Sequence, residues 1–500
     1  MAQLFKNVKL HNVLFIPVRY RNPQHHWSEV KKKVTCTQRA LDHFDDFYEK
    51  VYGESWKHIR SAMLAKNHKY VAVVNNFSDT ERTCSELENL GAMSLKSVYD
   101  SVKRSIDYEK SLVRPKGYQE TIRLMNEKLG NIVEEQKKNV TSVYTDPSDD
   151  HTQNVIEKES ENDNSSFEPV KLKSIETDLK VVTSKDRIIS PACAESSSFL
   201  YEYVPATKLK GMEDFVLESE HYNYYTQGAD FRIKIEKEND MNFPDHLLLY
   251  TFEEGNNTKF PKPKTGSTDL LDYFVLDGAS VLPILSLDLQ PGDKFLDMCA
   301  APGGKTMMAL QTLRLRLAVA NDIQESRINR INTFIHEFLL EKYCDKSFYI
   351  TQSDARHIED NGVYNKILVD VPCTTDRHVL HEFDNNIFKG SRIKERLRLP
   401  ELQSEILVNA LKLAIPGGTV VYSTCTLSPI QNDGVVQMAL KKAFEEHNVV
   451  YKVIDQMDAL VPLKYLYNFN DSALKYGHIV VPSKSRNWGP MYFCKMIRIQ

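Results

Sequence analysis

The sequence predicts a doubly wound α/β fold, in which helices cover both faces of a mainly parallel sheet. Short apolar runs alternate with stretches of helical periodicity through residues 265–500, an alternation typical of parallel strands joined by right-handed crossovers. A glycine-rich turn follows the first run, and polar residues follow the ends of the others. Because ligands bind outside the carboxyl ends of such strands, we expect a functional site at that edge.

The glycine-rich turn lies within residues 294–306, which read KFLDMCAAPGGKT. An apolar strand leads into Pro302, Gly303 and Gly304, where the backbone can turn sharply and present N–H groups at the start of a helix. A phosphate-binding P-loop ends in the same Gly-Lys-Thr, but it needs a glycine five positions before Gly304, and Cys299 stands there. An ordinary turn without a ligand is the second alternative.

The next strand-end acid favours a nucleoside cofactor over both alternatives. Asp322 closes a second apolar run, residues 317–321, about 20 residues after Gly303. A carboxylate in that position hydrogen-bonds a ribose hydroxyl in nucleoside-binding folds. The sequence therefore predicts a nucleoside cofactor at this turn.

Three further strands are predicted downstream, and each ends beside an acid or a cysteine. They are residues 348–351 before Asp354, residues 367–369 before Asp370 and Cys373, and residues 419–422 before Cys425. A helix with one buried face is predicted over 328–339, and an apolar helical lead-in over 270–289. The strand ends converge on one edge, which is the strongest indication of an active site.

Cys373 and Cys425 form a candidate active-site pair. A single cysteine is more often a small buried hydrophobe, but two at neighbouring strand ends favour chemistry. A metal pair is the alternative, although His378 and His381 lack metal-site spacing with the cysteines, so no metal site is predicted. A thiolate can add to C6 of a cytosine and make C5 electron-rich enough to attack a methyl sulfonium. A carboxyl group at the ring N3 would stabilise that intermediate.

Composition excludes several classes of protein. The 500 residues have room for two or three domains, and 41% of them are hydrophobic. The net charge of −4 does not suit a basic nucleic-acid coat. The eight cysteines form no C-x-x-C pair, so zinc ribbons and thioredoxin chemistry have no support, and a reducing compartment is expected. No apolar run approaches the length of a membrane span.

The first 28 residues carry Lys6, Lys9, Arg19 and Arg21 but no acidic residue. Basic, acid-free and partly amphipathic character is typical of a mitochondrial transit peptide, predicted here as residues 1–34. A simple basic arm that contacts RNA is the alternative, because such peptides are usually rich in serine and this one is not.

Three segments follow the predicted transit peptide. Residues 35–130 are predicted to form a small, mainly helical domain, with helices over 37–64 and 80–124 and a short strand over 70–74. Residues 131–212 are predicted to be a disordered acidic linker, because residues 131–166 hold nine acidic residues against three lysines. Residues 213–500 are the predicted catalytic domain, with its core over about 265–500.

Three motifs in this order resemble the Sun-domain (Nol/Nop/Sun) RNA cytosine-5 methyltransferases. They are Asp297 to Thr306, Asp370-x-Pro372-Cys373, and Tyr422-Ser423-Thr424-Cys425. The resemblance is strongest to the mitochondrial ribosomal-RNA branch, on residues 74–77, 373–378, 385–389 and 488–495. It implies a Rossmann-like methyltransferase domain with S-adenosylmethionine as cofactor.

The resemblance also implies roles for individual residues. Gly303, Gly304 and Lys305 would line the amino-acid end of the cofactor, Asp322 would bind its ribose, Asp354 would lie on the adenine side and Arg327 would support them. Asp370 would contact the cofactor region and hold the cytosine at N3. Cys425 would be the nucleophile and Cys373 would assist product release, although DNA cytosine methyltransferases use the Pro-Cys cysteine as nucleophile.

This chain departs from the family pattern at two places. Most members have a Ser-Gly-rich loop after the Pro-Cys, where this chain has Thr374-Thr375-Asp376-Arg377-His378. The usual acidic triplet after the Thr-Cys strand is replaced by Gln431-Asn432-Asp433. Target choice and the role of that acid are therefore open.

A basic strip beside the cytosine pocket is the candidate RNA contact. Its alternative is a solvated helix face. The residues are Arg377, His378, Lys389, Arg392, Lys394, Arg396 and Arg398. A cytosine must be unstacked to reach two strand-end cysteines, so a single-stranded or flipped base is expected.

Together these observations predict an S-adenosylmethionine-dependent RNA cytosine-5 methyltransferase of the mitochondrial matrix. The predicted substrate is small-subunit ribosomal RNA, met in mitochondrial ribosome assembly intermediates. The resemblance implies a helical-repeat partner of the mitochondrial transcription-termination-factor family, and no membrane. The alternative is an RNA-binding ribosome-assembly factor whose methyl transfer is dispensable.

Overall fold

The computed structural model describes residues 34–112, 233–256, 258–340, 347–470 and 474–500. The acidic linker predicted over 131–212 and all but the last residue of the predicted transit peptide lie outside these ranges. Both therefore stay predictions, as do the domain boundaries.

The described residues form thirteen β-strands. These are β1 Tyr70–Val74, β2 Met93–Ser94, β3 Lys234–Lys237, β4 Leu249–Thr251, β5 Tyr273–Asp277, β6 Asp293–Asp297, β7 Leu315–Asp322, β8 Phe348–Gln352, β9 Tyr364–Asp370, β10 Ala414–Thr424, β11 Tyr451–Asp455, β12 His478–Val480 and β13 Met491–Arg498.

The same residues form eleven α-helices. These are α1 Cys36–Tyr52, α2 Ser55–Met63, α3 Thr80–Asn89, α4 Leu95–Leu112, α5 Val281–Ser286, α6 Gly304–Leu310, α7 Glu325–Phe338, α8 Asp376–His381, α9 Ile393–Leu397, α10 Leu399–Leu413 and α11 Val435–His447.

The main sheet has the order β3-β11-β13-β10-β9-β6-β7-β8, and β12 pairs with β13. Neighbours from β10 to β8 are parallel, whereas β13 runs antiparallel to β10 and to β11. The chain moves from β6 to β7 and β8 on one side, and β9 lies on the other side of β6. That reversal beside β6 is the switch point at which doubly wound sheets bind ligands. The predicted fold class is confirmed.

Local sequence explains why the central strands form where they do. Phe295, Leu296 and Asp297 of β6 are buried, and so are the four residues 366–369 of β9, because helices cover both faces. On α7, apolar residues recur at spacings of three and four and are buried, which docks one helix face on the sheet. These residues are Ile328, Ile331, Ile335 and Phe338.

A second, four-stranded antiparallel sheet has the order β2-β4-β1-β5. It combines strands from both sides of the undescribed segment 113–232, since β1 pairs with β4 and with β5. The N-terminal residues are thus built into the same body as the catalytic half. Phe44, Phe47 and Tyr48 of α1 share a hydrophobic core with residues of β9, β10 and α10.

The helical pattern predicted over 37–64 is confirmed as two helices, because Gly53 adopts a left-handed φ of 55° and ends α1. Two other predicted elements are wrong in detail. The lead-in predicted as helical over 270–289 begins as strand β5, and only Val281–Ser286 is α-helical. The helix predicted over 80–124 is interrupted by β2 within its described part.

Candidate active site

The glycine-rich turn joins β6 to α6 at the switch point. Gly303 caps α6 with φ 109°, and a side chain there would meet the Phe334 ring at 3.3 Å. Its N–H donates to the Ala300 carbonyl at 2.7 Å, which closes the turn. At Gly304 a Cβ would find no atom within 4 Å, so the helix start borders open space. A side chain at Gly304 would fill that space, and a small ligand could occupy it instead.

Asp322 ends β7 beside this turn and is only 3% exposed. One carboxylate oxygen lies 3.4 Å from the Ala301 N–H and 3.0 Å from Nε of Arg327, and the other accepts from the Gln324 N–H at 3.3 Å. Arg327 also donates to the Ala301 carbonyl at 3.1 Å. The acid and the arginine therefore hold the turn from below, at the carboxyl end of β7.

Asp297, at the end of β6, supplies a second acid under the turn. One oxygen accepts from the Thr306 hydroxyl at 2.6 Å, while the other is buried without a hydrogen-bond partner among the described residues. Burial raises the pKa of Asp297 to about 7, and the nearby Asp370 adds to the shift. An orphaned buried oxygen, an open helix start and a strand-end carboxylate fit a ligand carrying an amino group and ribose hydroxyls.

Asp354 lies two residues beyond β8, at the same edge. Its carboxylate accepts from the Arg356 N–H at 3.0 Å and pairs with the Arg356 guanidinium at 2.7 Å. The Arg356 hydrogen bonds lower the pKa of Asp354, so this acid is ionised. The predicted cofactor residues Gly303, Gly304, Asp322 and Asp354 thus lie at one strand-end edge, and Arg327 lies on the first turn of α7 beside Asp322. Lys305 and Asp370, the other two predicted cofactor residues, meet at the same edge.

Asp370 is the junction between the turn and the cysteines. Its two oxygens accept from Nζ of Lys305 at 2.8 Å and from the Ser423 hydroxyl at 2.8 Å. Ser423 lies directly opposite Asp370 in the parallel β9–β10 pair. Burial alone would lower the pKa of Lys305, but the Asp370 carboxylate outweighs it and the pKa is raised. Lys305 is therefore a permanent cation at this edge, and it links the helix of the turn to the second half of the site.

The two predicted cysteines do meet. The Sγ atoms of Cys373 and Cys425 are 3.2 Å apart, because Cys425 directly follows β10 and Cys373 lies three residues beyond the end of β9. The hydrogen bond shared with Cys373 and burial raise the pKa of the Cys425 thiol well above its usual value, while Lys305 lowers it. The resting Cys425 is consequently a thiol that must lose its proton before it can attack. Groups of three or more His, Cys, Asp or Glu side chains that could hold a metal ion do not occur among the described residues.

The basic strip is heterogeneous. Arg377 is turned inward, donating at 2.7 Å to the Gly489 carbonyl and at 2.7 Å to the Asn487 side chain. Arg392 forms a two-pronged ion pair with Glu395, and the Arg396 guanidinium stacks 4.6 Å from the centre of the Phe388 ring. The folded protein therefore already uses these three arginines, and His378 also contacts the Asp384 carbonyl at 3.1 Å. The other members differ in exposure. Those are His378, Lys394 and Arg398, which are exposed, and Lys389, which is half-buried.

Sequence reasoning missed several residues that build the site. Ser423 was quoted only as part of a motif, although it fixes Asp370. Tyr48 of α1 donates to the Asp376 carboxylate at 2.7 Å, although the N-terminal segment carried no sign of a role in the site. Asp433 accepts from the Gly477 N–H at 3.0 Å and from the Tyr492 hydroxyl at 2.5 Å, so it anchors the segment that leads into β12. Of these, Ser423 lies beside a strand-end cysteine and Asp433 ends the triplet whose role the sequence left open, whereas Tyr48 carried no local sequence signal.

Fold and site together define an α/β protein with strand-end acids at the switch point and paired thiols beside them, an arrangement that suits an enzyme with a nucleoside cofactor. Residues 284–469 match the family described as 16S rRNA methyltransferase RsmB/F. A Xenopus laevis protein named 5-cytosine rRNA methyltransferase NSUN4 is 32% identical over 477 residues, 95% of this chain and 93% of that protein.

Two further relatives match about half of the chain. A Bos taurus protein with the same NSUN4 name is 43% identical over 257 residues, 51% of this chain and 67% of that protein. A Danio rerio protein named mitochondrial tRNA (cytosine(34)-C(5))-methyltransferase is 37% identical over 265 residues, 51% of this chain and 68% of that protein.

The chain belongs to the RsmB/F family and is an S-adenosylmethionine-dependent RNA 5-methylcytosine methyltransferase. Within the described ranges, no helix is both long and apolar enough to cross a membrane.

Proposed function

We propose that this protein methylates C5 of a cytosine in mitochondrial small-subunit ribosomal RNA, through a covalent adduct between Cys425 and C6 of the ring. The observation that carries the proposal is the 3.2 Å approach of the Cys373 and Cys425 sulfurs beside Asp370, at the edge where the cofactor turn lies. Two thiols held so close beside a carboxylate suit attack by one and proton handling by the other.

In the proposed mechanism each residue has one task. Cys425 loses its proton and its sulfur bonds to C6, so that the C5–C6 double-bond electrons move to C5. S-adenosylmethionine supplies the electrophilic methyl group. The Asp370 carboxylate, oriented by Lys305 and Ser423, takes up the proton that Cys425 releases and donates it to N3 of the ring, which stabilises the negative charge that develops there. Cys373 assists loss of the C5 proton and breakage of the sulfur–C6 bond, which restores the double bond and frees the RNA.

We also assign the cofactor contacts by position. The open start of α6 at Gly303 and Gly304 receives the amino-acid end, Asp322 with Arg327 receives the ribose, and Asp354 lies on the adenine side. On the RNA side, the exposed cations of the basic strip and Lys389 are proposed to contact phosphates. Such contacts predict a steep loss of RNA affinity with salt.

The names of the relatives support ribosomal RNA as substrate, and the acid-free basic N-terminus supports the mitochondrial matrix. We propose ribosome assembly intermediates as the form of RNA encountered, and a helical-repeat partner of the mitochondrial transcription-termination-factor family. Bisulfite sequencing of mitochondrial ribosomal RNA after depletion should reveal one cytosine that loses its methyl group. Retained methylation at every cytosine of the small-subunit RNA would overturn this target. Loss of a methyl group from a transfer RNA instead would identify that transfer RNA as the substrate.

The two cysteine variants test the mechanism. Cys425→Ala removes the attacking sulfur, so neither adduct nor product should form. Cys373→Ala should keep the attack but impair release, so the methylated RNA should stay bonded to Cys425. The assay is a denaturing gel after incubation with substrate RNA and S-adenosylmethionine.

A slow-migrating complex should appear with Cys373→Ala and be absent with Cys425→Ala. The reverse pattern would move the nucleophile to Cys373. Methylation intact in both variants would end the covalent mechanism. Cys494→Ala is the matched control, because Cys494 is a buried thiol of β13 outside the pair and should change neither readout.

A further inference from the structure

A buried polar cluster lies behind the two cysteine loops, and we call it the Asp376 cluster. It joins three segments that are far apart in the sequence: the loop after Cys373, the loop after Cys425, and helix α1 of the N-terminal region. Its members are Tyr48, Thr374, Asp376, Thr426 and Leu427. Asp376 is fully buried, and Tyr48 is 1% exposed.

Asp376 binds both loops with short hydrogen bonds. One carboxylate oxygen accepts from the Thr374 hydroxyl at 2.5 Å, directly after Cys373. The other accepts from the Leu427 N–H at 2.8 Å, two residues after Cys425. The Asp376 N–H lies 3.4 Å from the carbonyl oxygen of Cys425 itself. The strand end that carries the nucleophile is therefore held at Cys425 and at Leu427 by one residue.

Helix α1 completes the cluster. The Tyr48 hydroxyl donates at 2.7 Å to the Asp376 oxygen that also accepts from the Leu427 N–H, and it lies 3.3 Å from the Thr426 hydroxyl. Thr374 and Thr426 are joined directly, with their hydroxyl oxygens 2.9 Å apart. Tyr52, one turn further along α1, donates to the Leu427 carbonyl at 2.7 Å. The loop that carries the nucleophile is thus pinned by side chains of the N-terminal region.

Burying a carboxylate costs desolvation free energy, so the Asp376 side chain needs a structural role that offsets this cost. Burial raises the pKa of Asp376, and the four surrounding donors oppose that shift. Removing one partner of a hydrogen-bonded buried charge destabilises a protein strongly, whereas an apolar residue in place of the whole arrangement is often tolerated. An apolar residue could fill the same space, but it could not bind the Thr374 hydroxyl and the Leu427 N–H at once.

We propose that Asp376 is a positioning residue that sets the separation of the Cys373 and Cys425 sulfurs, and that Tyr48 extends this control to helix α1. The inference rests on the proposed function, in which those thiols act as a pair. Parallel strand register fixes where β9 and β10 end, but Cys373 lies three residues past its strand. The loop contacts through Asp376 are what bring that residue back to within 3.2 Å of Cys425.

The test separates positioning from simple support of the fold. Asp376→Asn keeps the size of the side chain but removes its charge and one acceptor oxygen. Tyr48→Phe removes only the hydroxyl group. Tyr451→Phe is the matched control, because the Tyr451 hydroxyl is a buried donor, to the Leu411 carbonyl at 2.8 Å, that lies outside the cysteine loops. All three variants are made in the full-length protein.

The first readout is the effective concentration of the two thiols, which needs no methyl transfer. In a glutathione redox buffer the two thiols and one oxidised glutathione give a Cys373–Cys425 disulfide and two reduced glutathiones. The disulfide is quantified by mass spectrometry of the peptides that contain the two cysteines. We expect Asp376→Asn to lower the effective concentration by at least about tenfold and Tyr48→Phe by about threefold, with Tyr451→Phe unchanged.

The second readout is steady-state kinetics. Asp376→Asn should lower kcat by about 10- to 100-fold, because a displacement near 1 Å at a reacting group has that effect, while the Kd for S-adenosylmethionine stays within about twofold. An unchanged effective concentration in a folded Asp376→Asn protein would overturn the proposal. The proposal would also be overturned if Asp376→Asn lost no more activity than Tyr451→Phe loses for the same fall in Tm. If Asp376→Asn does not fold, Tyr48→Phe decides by the same criteria.

The two proposals fail in distinguishable ways. If the wild-type protein and Cys373→Ala form no adduct although the Asp376 variant lowers the effective thiol concentration, then the covalent mechanism fails and the positioning role stands. If adducts form as proposed but the thiol separation ignores Asp376 and Tyr48, then the positioning role fails alone.

Discussion

Replacing Asp322 by asparagine tests the cofactor assignment most directly. The asparagine side chain would occupy nearly the same volume, and its amide oxygen could still accept from a backbone N–H of Ala301 or Gln324, so the turn should survive. What it lacks is the negative charge. A ribose hydroxyl that loses a charged acceptor loses about 1.5–3 kcal/mol, which is roughly a 10- to 150-fold rise in Kd for S-adenosylmethionine.

The cost to folding should be much smaller. The other partner of Asp322 is Arg327, whose side chain is 37% exposed and can be hydrated when the carboxylate is gone. Although Asp322 itself is buried, the arginine left behind is not, so the loss should stay at about the 0–1 kcal/mol of surface ion pairs and below the cost of an unpaired buried charge. The structure therefore predicts a variant that folds nearly as well as wild type but binds cofactor poorly. A substitution that damaged the whole turn would lower both quantities together.

Isothermal titration calorimetry measures the Kd, and thermal denaturation with and without ligand gives a second measure. Cofactor at 100 times the wild-type Kd should stabilise the wild-type protein by about 2.7 kcal/mol, and should stabilise a variant that binds 100-fold more weakly by only about 0.4 kcal/mol. Arg327→Gln is the matched control, since it keeps the acid and should weaken binding less. A folded Asp322→Asn protein with unchanged Kd would refute the ribose assignment.

Three further outcomes are expected. Thr375 has a left-handed φ of 48°, which is strained for a threonine, so Thr375→Gly should raise the free energy of unfolding by about 0.5–1 kcal/mol in urea denaturation. An unchanged or lower free energy of unfolding would argue against strain at this position. Because Cys373 and burial raise the pKa of the Cys425 thiol, methylation should speed up with rising pH through the neutral range. Lys305→Met removes a charge that lowers this pKa, so stopped assays should place its pH profile at higher pH, and an unmoved profile would contradict the electrostatic role. Deleting residues 1–28 should leave the protein in the cytosol on fractionation, and import of that truncation would count against the transit peptide.

The proposed cofactor half of the site was predictable because its signal is local. The run from Lys294 to Thr306 contains the strand, the turn and the helix start in order, and Asp322 follows at the spacing that the βα unit requires. Adjacent parallel strands then bring Asp354 and Asp370 to the same edge without any further information. Periodicity and strand-end position were enough to find these residues, because the fold class fixes how consecutive strands are placed.

The elements that were missed depend on contacts distant in sequence. Residues 273–277 belong to a strand because β1, some 200 residues earlier, offers an antiparallel partner, and their own apolar character fits a helix equally well. Tyr48 and Asp376 are 328 positions apart. An aromatic residue on an amphipathic helix predicts only that it is buried, so nothing in the pattern of α1 could indicate which polar atom its hydroxyl would meet.

The site therefore divides by the way in which it is built. Gly303, Asp322 and Arg327 are positioned by one βα unit and its neighbour, so the cofactor region depends on little beyond the central sheet. The thiol pair depends on the register of β9 and β10, on Asp376, and on a helix that precedes the catalytic core by more than 200 residues. We therefore expect cofactor binding to tolerate changes in the N-terminal region to which the thiol geometry is sensitive. Because α1 touches the loop after Cys425 through two tyrosine hydroxyls, a shift of α1 should reach the proposed nucleophile before it reaches the proposed cofactor site.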